Sequence, residues 1–246
     1  MRSANHAPPG ALVTMPNRLR YWATVNPDGV AMREKVRGIW QRTTWREYEG
    51  RVRRFALGLA ELGFREGDRL AIASDNTPEW LVADLAAQSL GGISTGVYPT
   101  SPWPELQYVV RHSGSRFIVC GDQEQVDKVL DASANEGGLP DIEKIICVDM
   151  KGMRHYTDPR IMSFEAVSAL ADALPQQESQ QRWLQSVQSR DAHDIAIIVY
   201  TSGTTGKPKG AQLTHRNIGH TADEFCKLHG LHDRNYVVLS YLPLCH

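Results

Sequence analysis

The chain has 246 residues, of which 41% are hydrophobic and 22% are charged, and this is the composition of an ordinary globular protein. Lysine and arginine number 27 against 28 aspartate and glutamate residues, and because no basic patch stands out we expect no nucleic-acid partner. No apolar stretch is long enough to span a membrane, so we predict a cytoplasmic protein without a transmembrane segment. Composition leaves peripheral membrane contact and oligomeric state open.

The first 17 residues contain no apolar segment like that of a signal peptide, and we predict a disordered tail there. A β-hairpin is predicted over residues 30–43, with its turn near Arg37 and Gly38. Thr44 and Glu47 then form a capping-box pattern, and apolar residues follow at helical spacing. We therefore predict a helix over residues 45–62 with its aromatic stripe in the core.

Short apolar strands alternate with helices through the middle of the chain. Continuously apolar strands of this kind are typical of a parallel sheet that helices cover on both faces. Residues 149–162 show no periodicity and predict a loop, whereas the glutamine-rich stretch 176–189 predicts a solvated helix or a surface insertion. The strands are predicted at residues 69–73, 93–97, 116–120 and 144–148, and the helices at residues 77–90, 102–112, 122–134 and 163–174.

The last part of the chain predicts a second hairpin followed by a helix. Residues 195–200 form a buried strand, and residues 210–213 can return beside it, so the run between them becomes a hairpin tip. Thr214 is placed to cap a helix whose apolar face carries Phe225 and Leu228.

The four cysteines lack the spacing of a disulfide or zinc framework, and we predict free thiols in a reducing compartment. Cys120 and Cys147 lie inside apolar runs, which predicts that both are buried. Cys226, His229 and His232 are evenly spaced, but this spacing matches no structural zinc pattern, so we predict no metal site there.

Residues 200–210 read YTSGTTGKPKG and concentrate the chemical groups that bind polyphosphates. Glycine allows the backbone to adopt positive φ and to bring its N–H groups close to an anion. The hydroxyl groups can donate hydrogen bonds, and the two lysines add positive charge. The run therefore predicts a loop that is suited to a phosphate chain.

Two other interpretations apply to such a run. A stretch rich in glycine, serine and threonine is most often a solvated loop. A Walker-type phosphate loop requires G-x-x-x-x-G-K-[ST], but Thr201 occupies its first glycine position and Pro208 its hydroxyl position. The spacing excludes a Walker loop, and Pro208 also argues against a helix that begins at the lysine.

As an ordered string, the run closely resembles the phosphate-binding motif of the adenylate-forming superfamily, which includes acyl-CoA synthetases, aryl-CoA ligases and beetle luciferases. The resemblance extends to residues 67–80, 92–101 and 242–246, and it is strongest to long-chain fatty acyl-CoA synthetases of the bubblegum-type branch. It implies an α/β fold for residues 18–246. This fold would be the N-terminal part of the large adenylate-forming domain, a mostly parallel sheet flanked by helices with a phosphate-loop hairpin.

The resemblance also implies a reaction in two steps. A fatty acid carboxylate attacks the α-phosphorus of ATP to give an acyl-adenylate and pyrophosphate, and coenzyme A then displaces AMP. The implied cofactors and substrates are thus ATP, Mg²⁺, coenzyme A and a fatty acid. By motif position Lys209 and His246 are the implied catalytic residues, and Thr201 is the implied metal contact. The implied nucleotide-binding residues are Thr201, Ser202, Gly203, Thr204, Thr205, Gly206 and Lys209.

A final strand is predicted over residues 235–239, and the chain then ends at His246 on an apolar segment. Later motifs of the family, including its Mg²⁺-binding glutamate and its small C-terminal domain, do not occur in these residues. We therefore expect a truncated adenylation domain that does not turn over by itself. An adenylating ligase for an aryl or amino acid and a short, non-catalytic nucleotide-binding module are the alternatives.

Overall fold

Helices and strands alternate along most of the computed structural model, which describes residues 13–201, 206–231 and 236–245. No helix in these ranges is both long and apolar enough to cross a membrane. The helices are α1 (Met15–Val25), α2 (Trp45–Glu61), α3 (Pro78–Ser89), α4 (Trp103–Ser113), α5 (Gln123–Ala134), α6 (Phe164–Leu170), α7 (Gln176–Gln188) and α8 (His215–Leu228). The strands are β1 (Val30–Val36), β2 (Ile39–Thr44), β3 (Arg69–Ala73), β4 (Ile93–Val97), β5 (Phe117–Cys120), β6 (Lys144–Cys147), β7 (Ile161–Ser163), β8 (Ile195–Thr201) and β9 (Lys209–Thr214).

In the part of the chain that the structure describes, seven strands form one sheet in the order β7-β6-β5-β3-β4-β8-β9. Neighbouring strands are parallel except β8 and β9, which form an antiparallel hairpin. Side chains of a strand point alternately to the two faces of a sheet. Leu70 and Ile72 of β3 accordingly pack in one core with Phe55 of α2, whereas Ala71 packs in a second core with Leu106 of α4. The predicted α/β fold with a mostly parallel sheet is confirmed.

The hairpin of β1 and β2 lies outside this sheet and leads into α2. Arg37 and Gly38 at its turn have φ angles of 48° and 84°, as a tight hairpin turn requires. Thr44 Oγ1 accepts a hydrogen bond from the Glu47 N–H at 3.2 Å, and the Glu47 carboxylate accepts one from the Thr44 N–H at 2.7 Å. Both halves of the predicted capping box are therefore present.

Helix α1 begins inside the region that was predicted to be a disordered tail. Thr14 caps it by accepting a hydrogen bond from the Asn17 N–H at 3.3 Å, and Leu19 packs in the core beneath α2. Residues 15–17 are therefore helical, which corrects the tail boundary predicted at residue 17. The first twelve residues of the predicted tail lie outside the described residues.

Two elements between residues 149 and 189 differ from their predictions. Strand β7 begins within the predicted loop and ends one residue beyond it, at Ser163, and its three residues pair in parallel with β6 at the edge of the sheet. Residues 176–188 form the predicted helix, α7, and most of its side chains are exposed, but one face is docked, because Trp183 is fully buried and its indole N–H donates to Ser89 Oγ at 3.0 Å. Composition did not indicate this docking, since Trp183 and Val187 are the buried apolar residues of a mostly polar helix.

The predicted strand over residues 235–239 is wrong for its described part, residues 236–239. A strand needs a hydrogen-bonded neighbour, and none of the described strands pairs with these residues. Val237, Val238 and Leu239 are accordingly exposed. Phe225 and Leu228 on the predicted apolar face of α8 are also exposed, at 54% and 81%.

His215, the first residue of α8, connects this helix to α1. Its side chain is buried, and its Nδ1 accepts a hydrogen bond from the Met15 N–H at 3.4 Å. Burial lowers the pKa of His215 to about 4, with Asp194 acting in the opposite direction and Arg190 lowering it further. The imidazole is therefore neutral at pH 7, and neutral imidazole is the form that can accept a hydrogen bond.

We expect this buried histidine to destabilise the fold as the pH falls. Below about pH 6.5 the unfolded chain protonates its imidazole, whereas the folded chain resists protonation down to about pH 4, so acid favours unfolding in this window. The His215→Asn variant retains an acceptor that does not titrate. Its free energy of unfolding should fall less than that of the wild type between pH 7 and pH 4.5, by on the order of 2 kcal/mol. Urea denaturation at the two pH values measures this, and equal losses in both proteins would contradict it.

Candidate nucleotide-binding site

Strand β8 leads into the predicted phosphate loop, which begins at the carboxyl ends of the parallel strands. Its residues alternate in burial, so that Ala196, Ile198 and Tyr200 face the interior. The strand is parallel to β4, and the Thr95 hydroxyl of β4 adds a hydrogen bond to the Ile198 carbonyl at 3.0 Å. The loop therefore leaves the sheet at the carboxyl end of a parallel strand, where ligands of α/β proteins usually bind.

Thr201 and Lys209 stand opposite each other at the base of this loop. They are the last residue of β8 and the first of β9, and they pair across the antiparallel ladder. Both residues are exposed, and side chains that pair across a ladder project on the same side of the sheet. One hydroxyl group and one ammonium group are thus placed beside each other where the loop begins and ends.

Gly206 has a φ angle of 127°, which a residue with a side chain rarely adopts. No heavy atom of the described residues lies within 4 Å of the position that a Cβ would occupy, so the backbone conformation is the constraint that they place on this position. Four other predicted site residues, Ser202, Gly203, Thr204 and Thr205, lie outside the described residues, and so does His246.

Residues 240–245 form a second segment that reaches the carboxyl ends of the same strands. Asn76, which follows β3 in the chain, holds this segment through its side-chain amide group. Its Nδ2 donates to the carbonyl oxygens of Leu242 at 2.7 Å and Ser240 at 3.2 Å, and its Oδ1 accepts from the Leu244 N–H at 2.9 Å. One side chain thereby satisfies three backbone groups of residues 240–244, which form neither helix nor strand.

Gly96 of β4 allows this segment to lie directly on the sheet. A Cβ at Gly96 would stand 2.5 Å from the Cα of Cys245, which is too close for any side chain. No sequence pattern predicted the role of Gly96 or of Asn76. A glycine inside a predicted strand is a recognised sign of close backbone approach, so Gly96 could have been identified as a contact position, although its partner could not.

The structure therefore brings two distant motifs together at the carboxyl ends of three adjacent strands. The loop follows β8, residue 245 lies on β4, and Asn76 follows β3, in a sheet where these strands are neighbours. The Lys209 ammonium group, the Thr201 hydroxyl group and the Gly206 backbone at the carboxyl ends of these strands are the kinds of groups that form an anion-binding site.

Among the described residues no group of three histidine, cysteine or carboxylate side chains could hold a metal ion. Mg²⁺ commonly retains water and substrate phosphates as ligands and takes few from the protein, so the exposed hydroxyl of Thr201 is a suitable single donor. Burial raises the pKa of Cys120 and Cys147, the latter to about 11, so both thiols are protonated at neutral pH. These two cysteines are therefore poor nucleophiles.

The family model described as AMP-binding enzyme matches residues 19–246. The chain belongs to the AMP-binding enzyme family. This confirms the resemblance that the phosphate-loop motif indicated, and it covers the sheet, the loop and the segment that Asn76 holds.

The curated relatives of this AMP-binding enzyme include ligases of the bubblegum type. It is 30% identical over 228 residues to long-chain-fatty-acid–CoA ligase ACSBG2 of Xenopus laevis, which covers 91% of this chain and 30% of that protein. It is 28% identical over 249 residues to human ACSBG2, which covers 100% of this chain and 36% of that protein. The chain thus spans about a third of the length of these relatives.

Solved structures of similar fold include the N-terminal domain of FACL13 from Mycobacterium tuberculosis. It has a TM-score of 0.67 and 21% identity, over 95% of this chain and 52% of that one. A candidate long-chain-fatty-acid CoA ligase from Rhodopseudomonas palustris has a TM-score of 0.74 and 24% identity, with the same coverage of both chains. At these identities the likeness establishes the fold alone.

We expect the Asn76→Ala variant to release residues 240–245 from the sheet. The change removes three hydrogen bonds to this segment, each of which contributes about 1 kcal/mol. Cys245 belongs to this segment and is buried where it lies on Gly96 of β4, so its release should make it react with a thiol reagent at least about tenfold faster. Mass spectrometry can distinguish the labelling of Cys245 from that of the other cysteines.

The matched control is Asn135→Ala, because Asn135 also donates to a backbone carbonyl, that of Asp131, away from this edge. Unchanged labelling of Cys245 in Asn76→Ala, or the same increase in both variants, would contradict the assigned role of Asn76.

Proposed function

We propose that this chain forms the ATP-binding part of an AMP-forming ligase that activates a long-chain fatty acid and transfers it to coenzyme A. Membership of the AMP-binding enzyme family supports ATP as the nucleotide. The names of relatives that are about 30% identical support a long-chain fatty acid as the substrate. The observation that carries the proposal is the meeting of the phosphate-loop hairpin with residues 240–245 at one sheet edge.

The proposed first step joins two anions, so it depends on positioning and on neutralisation of charge. A carboxylate oxygen attacks the α-phosphorus of ATP, the bond from this phosphorus to the oxygen of the β-phosphate breaks, and pyrophosphate leaves. The Lys209 ammonium and the Thr201 hydroxyl would hold oxygens of the departing phosphates. In the second step the sulfur of coenzyme A attacks the acyl carbonyl and AMP leaves.

The remaining site residues are assigned by their positions in the motif. Ser202, Gly203, Thr204 and Thr205 would donate backbone and hydroxyl hydrogen bonds to the β- and γ-phosphates. His246 would lie beside the adenylate and the acyl carboxylate. Mg²⁺, when bound with the nucleotide, would neutralise phosphate charge, with the Thr201 hydroxyl as its ligand from this chain.

We expect Lys209→Ala to weaken the binding of ATP to this chain. A charge-assisted hydrogen bond contributes roughly 1.5–3 kcal/mol, which corresponds to a loss of affinity of about 10- to 100-fold. Lys207→Ala is the matched control, because it removes the same charge two residues away and its ammonium lies over the Tyr108 ring at 5.3 Å. Calorimetric titration with Mg²⁺–ATP compares the two variants. Equal losses in both would count against Lys209 as the phosphate ligand.

The acid substrate separates the proposed ligase from its two alternatives. Protein captured from its source cells with an antibody against residues 1–246 can be assayed for acid-dependent exchange of pyrophosphate into ATP. A long-chain ligase prefers palmitate or oleate, whereas an aryl or amino-acid ligase prefers benzoate or an amino acid. ATP binding without exchange for any acid would favour a non-catalytic nucleotide-binding module. We expect the 246-residue chain itself to bind ATP without exchange, because it spans about a third of its relatives' length.

A further inference from the structure

Helix α4 lies against the base of the phosphate-loop hairpin with two polar aromatic side chains. Tyr108 and His112 are four residues apart, so they occupy the same face of this helix. Their rings stack with a centroid separation of 5.4 Å. Tyr200, the residue before Thr201, meets both rings edge-on at 6.4 Å and 5.7 Å.

Tyr108 holds the returning end of the loop. Its hydroxyl donates to the carbonyl oxygen of Pro208 at 2.8 Å. Pro208 stands one residue before Lys209, just beyond the last pair of the β8–β9 ladder. The Lys207 ammonium lies over the same ring, which adds a cation–π contact to this end of the loop.

His112 holds the departing end of the loop. Its Nδ1 lies 2.8 Å from the Tyr200 hydroxyl. Burial raises the pKa of Tyr200 to about 12, so the hydroxyl keeps its proton at neutral pH and can donate it to a neutral imidazole. The contact spans 88 residues of sequence and lies directly before the first residue of the loop.

We propose that Tyr108 and His112 are positioning residues which clamp the two ends of the phosphate loop to helix α4. One anchor precedes Thr201 and the other precedes Lys209, so the clamp fixes the distance and direction between the hydroxyl and ammonium groups that pair across the hairpin. The role of this clamp in pre-organising the loop for phosphates rests on the proposed function. The clamp itself is a property of the chain without any ligand.

Limited digestion with trypsin tests the clamp where it acts. Trypsin does not cleave before proline, which protects the bond after Lys207, so the bond between Lys209 and Gly210 is the sensitive position. Cleavage there requires the hairpin base to open locally. The variants are Tyr108→Phe, His112→Ala and the double substitution, with the rate at each site followed by mass spectrometry.

The controls remove similar groups elsewhere in the chain. Tyr48→Phe deletes a tyrosine hydroxyl of α2 that donates to the Leu81 carbonyl at 3.3 Å, and Tyr48 packs in a different core from Tyr200. His155→Ala removes an exposed histidine from a short helical turn after β6. Urea denaturation of every variant measures global stability, so that a global loss of stability can be distinguished from local opening of the hairpin.

We expect cleavage after Lys209 to become roughly two- to tenfold faster in each clamp variant and faster still in the double variant, as the loss of one hydrogen bond predicts. Cleavage after Arg216 and the urea midpoint should change no more than in the controls. An unchanged rate after Lys209, or an equal increase at all sites, would overturn the proposal.

Titration of the same variants with Mg²⁺–ATP separates the clamp from the proposed function. Weaker ATP binding in Tyr108→Phe and His112→Ala, with normal binding in both controls, would support the clamp as a positioning device for phosphates. If the wild-type chain does not bind ATP, the proposed function is contradicted. If the clamp variants are nevertheless cleaved faster after Lys209, the clamp itself is still supported.

Discussion

The pairing of β8 with β4 is the contact on which the rest of the site depends. Ser94 pairs with Ile197 and Thr95 pairs with Ile198, and the Thr95 side chain adds a bond to a carbonyl 103 residues away. Because the two strands are parallel, the loop after β8 leaves the sheet beside the carboxyl ends of β3 and β4. An antiparallel β8 would place the same loop at the opposite edge, away from Asn76.

The irregular segment 240–245 depends on this arrangement in a different way. It has no hydrogen-bond ladder of its own, so its backbone N–H and C=O groups need hydrogen-bond partners outside a strand or helix. Asn76 supplies three of them, and the missing side chain of Gly96 supplies the space. A single amide and a single glycine therefore decide where a family motif lies relative to the phosphate loop.

Local patterns predicted the elements whose causes are local. The Thr44–Glu47 capping box and the alternation of apolar strands with helices act within a few residues of sequence, and both were found as predicted. Docking of α7 was missed because its partner Ser89 is 94 residues away from Trp183. The strand predicted at residues 235–239 shows the converse error, since apolar β-branched residues form a strand only beside a neighbour.

The sequence by itself determined the class of fold and the family, because the order of hydroxyl, glycine and lysine residues over positions 200–210 and the alternation of strands with helices are local properties of the chain. Only the tertiary structure decided which other residues join that loop. Asn76, Gly96, Tyr108 and His112 lie on other elements of the chain, and no pattern in the sequence predicts that they contact the loop or residues 240–245. Strand order and register bring them together, and these follow from the packing of the whole sheet rather than from any short run of residues.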